Sequence, residues 1–131
     1  MDKGYVTLAR GVASPAAGSG EQSAPTSGET KTIWASNTNM NSAYAGTRWK
    51  RLILSIYSSH ASATDGVKFE ESADGTNWRS LVTYTLSATT YTKYIVAPAA
   101  PYVRVRFENS ANTLTSWEMS LLGDTCERAA A

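Results

Sequence analysis

The chain has 131 residues, of which 42% are hydrophobic, and its formal net charge at pH 7 is +1. This length fits one domain with an ordinary core, and the near-neutral charge argues against general attraction to nucleic acid or to anionic lipid. The single cysteine, Cys126, excludes an internal disulfide, and no stretch has the length and apolar character of a signal peptide or a membrane span, so we expect a protein made in the cytoplasm with no membrane partner.

The composition of residues 1–31 predicts an N-terminal arm. Residues 13–30 are Ala, Gly, Ser, Pro or Thr at all but three positions. Such a segment buries too little apolar surface to offset the entropy lost on ordering, so alone it should be flexible. Before it lies a short apolar patch able to add a strand to a partner by β-augmentation. We therefore predict a flexible partner-binding arm over residues 1–31, with contacts from Tyr5, Val6, Leu8 and Val12.

The rest of the chain reads as β-structure. Seven segments rich in Val, Ile, Thr, Tyr and Trp are separated by turn-like sequences. Val103, Val105 and Phe107 alternate with charged residues, as expected for a half-buried strand. The pattern predicts an all-β fold, an antiparallel β-sandwich or jelly roll of seven to eight strands over residues 32–123, and a tail over 124–131. The predicted strands cover residues 32–36, 49–57, 66–73, 78–86, 91–97, 102–109 and 116–122.

One β-hairpin is specified by local chemistry. A strand ending near Ser72 is followed by Asp74 and Gly75, and Trp78 restarts the apolar face. Gly75 adopts positive φ without steric cost, and the Asp74 side chain can bond its own backbone. We therefore assign Asp74, Gly75 and Trp78 as determinants of the fold.

The residues of catalysis are scarce. His60, the one histidine, lies in a small polar loop beside Ser59, and neighbours in a loop do not make a triad without a scaffold that fixes them. No cluster of ligands has the spacing of a zinc or calcium site, and no glycine-rich phosphate loop is present. We expect no enzyme activity, no metal and no cofactor.

Two short basic clusters are candidates for binding, one of Arg48, Lys50 and Arg51 and the other of Arg104 and Arg106. Each is read either as a solvated outer strand face or as an ion-pairing contact with an acidic partner protein, and the near-neutral net charge does not decide between them.

The tryptophans offer another kind of contact. We expect Trp49 and Trp117 in the core. Trp34 and Tyr44 flank a polar loop. On a β-sandwich they are the first candidates for aromatic residues that stack on a sugar.

The run FEESADGTNW at residues 69–78, followed by PYVRVRF at 101–107, resembles the small β-sandwich proteins of tailed-phage virions. The resemblance covers roughly residues 48–122. It implies a structural role as a capsid decoration (cement) protein, with the major capsid protein or another virion protein as partner. It further implies a homo-oligomer such as a trimer, located on the capsid surface. The alternatives are a tail or fibre component, or a carbohydrate-binding host-adhesion module.

Overall fold

The computed structural model describes residues 5–36 and 49–125. Within these ranges nine strands form two sheets that pack face to face. No helix among the described residues is long and apolar enough to cross a membrane. The strands are β1 (Tyr5–Val12), β2 (Gln22–Ser23), β3 (Thr30–Ala35), β4 (Trp49–Ser58), β5 (Ser62–Ser72), β6 (Trp78–Tyr84), β7 (Thr92–Val96), β8 (Tyr102–Asn109) and β9 (Trp117–Thr125).

The two sheets have five and four strands. Their orders are β2-β1-β9-β4-β7 and β3-β8-β5-β6. Neighbouring strands are antiparallel except for the short parallel pair of β1 and β2. The predicted all-β sandwich is therefore confirmed.

The core lies between the inward faces of the sheets. Alternation along β4, β5, β8 and β9 places every second side chain there, as the pleat requires. Trp117 is 2% exposed and meets Phe107 of the other sheet edge to face, with ring centroids 6.0 Å apart. The predicted core position of Trp117 is thus confirmed. The other fully buried large side chains include Phe69, Ile33, Leu52, Leu54, Ile56, Leu86, Leu121, Val67, Val103 and Val105.

The N-terminal segment differs from the expected arm. The seven predicted strands correspond to β3–β9, but β1 and β2 are additional strands of the five-stranded sheet. β1 pairs with β9 from Tyr5 opposite Asp124 to Val12 opposite Glu118. The apolar patch of residues 5–12 therefore pairs with β9 of the same chain along one of its two sides.

The low-complexity segment, residues 13–30, is held by hydrogen bonds to its backbone carbonyl oxygens. Asn109, at the end of β8, is 1% exposed, and its side-chain amide donates to the carbonyl oxygens of Pro25 and Thr26, both at 3.2 Å. Its backbone N–H donates to the carbonyl of Glu29 at 2.9 Å. These hydrogen bonds tether the segment in addition to Ala13 and Ala24, which pack against the core, and composition does not reveal them.

The C-terminal boundary also lies further on than the sequence indicates. β9 continues to Thr125, and Asp124 is 6% exposed. Its carboxylate accepts hydrogen bonds from Arg51 Nε and Nη2, at 2.9 and 2.6 Å. The expected tail from residue 124 therefore begins inside a strand that β4 holds in register.

Candidate protein-interaction surfaces

An apolar row crosses the outer face of the five-stranded sheet. Ile53 of β4 pairs with Ile95 of β7 on one side and with Leu122 of β9 on the other. Directly paired residues project from the same face of a sheet. Because the neighbouring Leu52 and Leu121 are buried in the core, these three side chains project outward. Ile95 is 52% exposed. We call Ile53, Ile95 and Leu122 the outer row.

Tyrosines flank the outer row at both ends of the face. Tyr57 and Tyr91 lie with ring centroids 6.2 Å apart, and Tyr91 is 60% exposed. The Tyr91 hydroxyl donates to Glu118 at 3.4 Å. Partial burial and the carboxylate of Glu118 raise the pKa of Tyr91 above its ordinary value. Tyr5, at the other end, is 59% exposed.

Arg51 does not act as a free cation on this face. Its guanidinium binds Asp124, whose hydrogen bond and charge raise the pKa of Arg51. Since Asp124 is buried, the pair is part of the sheet itself. Arg48 lies outside the described residues, and of Lys50 only the backbone position in β4 is described. The ion-pairing hypothesis for this cluster therefore rests on residues other than Arg51.

The second basic cluster lies on the opposite side of the molecule. Arg104 Nε donates to Glu70 Oε1 at 2.6 Å, and Arg106 lies 3.8 Å from the same oxygen. The Arg104 guanidinium also sits 4.4 Å from the centroid of the Trp78 ring, a cation–π arrangement. Lys68 and Glu108 form a further pair at 3.4 Å.

On the outer face of the four-stranded sheet, each of these basic side chains thus has a carboxylate partner within the chain. This favours the interpretation of Arg104 and Arg106 as a self-paired outer face. The structure also keeps them apart from Arg51, because the two clusters lie on different sheets. Arg51 therefore does not form one patch with Arg104 and Arg106.

The residues of the predicted arm lie along β1. Tyr5 and Val6 are exposed, whereas Leu8 and Val12 are partly buried. Leu8, Ile33 and Trp34 line a groove of about 320 Å³ between the edges of β1 and β3. The half-buried Trp34 packs against the core, unlike the open aromatic platform expected of a sugar site. Tyr44 lies outside the described residues.

The predicted hairpin joins β5 and β6 through a five-residue loop. Asp74 Oδ1 accepts from the backbone N–H groups of Thr76 and Asn77, both at 2.8 Å, and from Ser72 Oγ at 2.9 Å. These hydrogen bonds hold the pKa of Asp74 well below its ordinary value. Gly75 has φ +82°, as its role in the turn requires.

Trp78 completes the hairpin. It pairs with Ser72 across the two strands and stacks under Arg104. The predicted strands, 66–73 and 78–86, leave residues 74–77 as the turn, and the loop observed between β5 and β6 is one residue longer. The Asp74 carboxylate organises the residues that follow it.

In the polar loop around His60, the hydroxyl of Ser59 is engaged in several hydrogen bonds. Ser59 Oγ lies 3.2 Å from His60 Nδ1, but it also accepts hydrogen bonds from the backbone N–H groups of Thr115 and Ser116 at 3.1 and 3.3 Å. These hydrogen bonds to Ser59 hold the residues that lead into β9. Across residues 5–36 and 49–125, no group of three His, Cys, Asp or Glu side chains is placed to hold a metal ion.

The outer row is the feature that sequence reasoning missed. The signal was present in the run Leu52-Ile53-Leu54 and in the pair Leu121-Leu122, where apolar residues occupy both faces of a strand. An antiparallel strand that covers a core on one face only should alternate. A break in alternation toward apolar residues therefore marks a second apolar face.

Comparison with known proteins supports the architecture. No protein-family model matches the chain, and no curated protein matches it in sequence. The fold is similar to the crystal structure of the PBSX exported protein XepA, with a TM-score of 0.65 and 13% sequence identity. The alignment covers 95% of this chain and 38% of that protein. The chain therefore spans well under half of XepA, and the likeness is one of fold.

Proposed function

We propose that this chain is a non-enzymatic structural protein of a phage particle, and specifically a capsid decoration protein that binds the capsid surface and stabilises the lattice. The observation that carries the proposal is the outer row, an apolar stripe on the outer face of a sheet whose inner face already covers the core. Apolar side chains in a contiguous patch rimmed by polar residues mark a protein contact.

The rim of this face has the composition expected around such a contact. Lys93 and Ser55 pair in the strand row next to Ile95 and Ile53, and Glu118 lies near Tyr91. Exposed tyrosines are enriched at protein interfaces because they combine apolar area with a hydroxyl. In contrast, the opposite sheet presents Glu70, Arg104 and Arg106 already paired with one another.

Two further observations support a phage origin. The hairpin run at residues 69–78 and the strand at 101–107 resemble small β-sandwich proteins of tailed-phage virions, and the fold is shared with the PBSX protein XepA. Neither observation identifies a binding site on this chain. The proposed contact with the capsid therefore rests on the outer row and the tyrosines beside it.

The proposed mechanism is additive burial. Each molecule that covers a junction between capsid subunits removes apolar area from water, at roughly 25 cal/mol per Å² before ordering costs are subtracted. A contact that is weak alone becomes effective when it is repeated over a shell, because many copies must detach before the lattice is unprotected. This mechanism needs neither a catalytic residue nor a cofactor.

The test is direct mixing. Purified protein is combined with undecorated capsids and, separately, with purified tails of the phage whose genome encodes it, and each mixture is sedimented. Binding to capsids at a fixed ratio to the major capsid protein is the expected result. Binding to tails alone would replace decoration with a tail role. Binding to neither particle would refute a virion role.

A further inference from the structure

Strand β1 lacks a hydrogen-bonded neighbour along most of its outer edge, within the described residues. β2 pairs with β1 only at Gly11 and Val12, so within the described residues positions 5–10 of β1 have no strand partner on the side away from β9. The β2 end of this side is also bridged by Lys31, whose ammonium donates to the Ser23 carbonyl at 2.8 Å and to Ser23 Oγ at 2.9 Å. We call residues 5–10 of β1 the open edge.

The opposite side of the sandwich is built differently. There Tyr84 of β6 stacks on Tyr94 of β7, with ring centroids 4.2 Å apart, and joins the two sheets. At the open edge the sheets are instead separated by the groove that Leu8, Ile33 and Trp34 line. The open edge therefore offers both unpaired backbone groups and apolar side chains.

The side chains of the open edge favour a strand partner. Tyr5 and Val6 are two of the four exposed large hydrophobic residues in the described ranges. Sheet edges are usually protected by several charged residues or by proline, but Arg10 is the one charged residue among positions 5–10. Unpaired N–H and C=O groups in an extended strand select another extended strand as their ligand.

We propose that two copies of this chain pair antiparallel through their open edges, forming a two-fold dimer with one continuous sheet of ten strands. The two-fold axis lies between Thr7 and Leu8 and runs perpendicular to the sheet. Such a contact is isologous, so it closes on itself and does not propagate into a fibre.

The facing of side chains fixes the register. Tyr5 projects outward with its cross-strand partner Asp124, whereas Val6 pairs with the inward-facing Gly123. Beyond the irregularity between Thr7 and Ala9, Ala9 faces inward and Arg10 outward. The register that places Tyr5 opposite Arg10 of the second copy, and Val6 opposite Ala9 of the second copy, matches the faces of both of these pairs and spans all six positions of the open edge.

This register also suits a second copy better than an arbitrary strand. It places no like charges opposite each other, because Arg10 of each copy faces the Tyr5 ring of the other. The axis also brings together the edges of β3, which lies at the same side of the second sheet. Both layers therefore contribute, and the groove beside Leu8 and Trp34 becomes covered.

The inference does not depend on the proposed virion function. Ile95 belongs to β7, at the other edge of the five-stranded sheet, so the outer row stays exposed in the dimer. The axis keeps the two outer faces on the same side, which would double the area offered to a partner.

The first test is the mass of the purified protein in solution, measured by sedimentation equilibrium. We expect twice the monomer mass of 14.1 kDa. Val6→Lys should weaken the dimer by about tenfold or more, since it removes an apolar contact in each copy. Ile95→Lys, the matched control on an exposed isoleucine of the opposite edge, should leave the dimer intact. A monomer at every soluble concentration, a trimer, or a dimer that only Ile95→Lys disrupts would overturn the proposal.

The second test is disulfide trapping in a Cys126→Ser background. Val6→Cys with Ala9→Cys should form a covalent dimer under mild oxidation, because the two residues face each other between copies. Within one strand they are three residues apart, roughly 10 Å, which is too far for a disulfide. Val6→Cys with Arg10→Cys, whose side chains project to opposite faces, is the control. Equal trapping of both pairs, or of neither, would contradict the register.

Discussion

Gly11 of β1 lies directly against the indole of Trp117 in β9. A Cβ on Gly11 would come 2.7 Å from Trp117 Cζ3 and 2.9 Å from the Gln22 carbonyl oxygen. The largest side chain of the core is therefore covered by the backbone of the N-terminal strand. Glycine at this position allows β1, β2 and the core to meet.

Replacing this glycine should strain the core. Gly11→Ala is expected to destabilise the protein by roughly 1–3 kcal/mol, since neither the buried indole nor a backbone carbonyl can move aside easily. The measurement is the free energy of unfolding in urea. Thr7→Ala, at an exposed position of the same strand, is the control and should change it by less than about 0.5 kcal/mol. Equal effects of the two substitutions would contradict the contact.

Deleting residues 1–12 should abolish cooperative unfolding. The deletion removes every hydrogen bond between β1 and β9 and exposes Trp117 and Met119 of the core. The expected result is loss of the thermal transition by circular dichroism and of dispersed amide signals by NMR. Deletion of residues 1–4, which precede β1, is the control. A truncated protein that melts like the full chain would restore the interpretation of this segment as a flexible partner-binding arm.

Substitutions of Glu71 should show whether its side chain stabilises the fold as a hydrogen-bond acceptor or through its charge. It is 7% exposed, and its Oε1 accepts from the backbone N–H groups of Ala99 and Ala100 at 3.3 and 3.1 Å. Its ion pair with the exposed Arg79, at 3.6 Å, should contribute little. Glu71→Gln keeps the acceptor and should cost less than about 1 kcal/mol, whereas Glu71→Ala should cost roughly 1–3 kcal/mol by leaving two amides unpaired.

The Glu71 comparison is measured by urea unfolding of both variants. Arg79→Ala provides the control for the ion pair and should resemble Glu71→Gln. If Glu71→Gln were as damaging as Glu71→Ala, the charge and not the acceptor oxygen would be the stabilising feature.

The Asp74 loop predicts a loss of stability in acid. Because the folded-state pKa of Asp74 is depressed below its ordinary value of 3.8, its contribution is fully present above that pH and is lost as the pH falls further, through the folded-state pKa. The melting temperature should therefore fall less steeply with decreasing pH in Asp74→Asn than in the wild type. Parallel pH profiles below pH 4 would show that the carboxylate is not coupled to folding.

Sequence reasoning identified the β-sandwich because alternation and turn residues are local signals. Val103, Val105 and Phe107 are buried as the pattern of β8 predicted, and the Asp74 hairpin is where its turn chemistry indicated. The order of the strands in the sheets was not predictable, because alternation gives the face of a residue and not its neighbour.

The pairing of charged residues at the surface was not predictable for the same reason. Arg104 and Glu70 are 34 positions apart, so their pairing depends on which strands become neighbours. The same holds for Arg51 and Asp124. The composition of residues 13–30 predicted a flexible segment, whereas in the folded chain Asn109 holds part of it by hydrogen bonds.

The most direct test of the central claim is the binding of labelled protein to undecorated capsids, compared between Ile95→Lys and Ser80→Lys. Both change an exposed strand residue to lysine, but Ile95 lies on the outer row and Ser80 on the opposite sheet. We predict that Ile95→Lys weakens binding by about tenfold or more, whereas Ser80→Lys binds like the wild type. Unchanged binding of Ile95→Lys, or loss only in Ser80→Lys, would contradict the account.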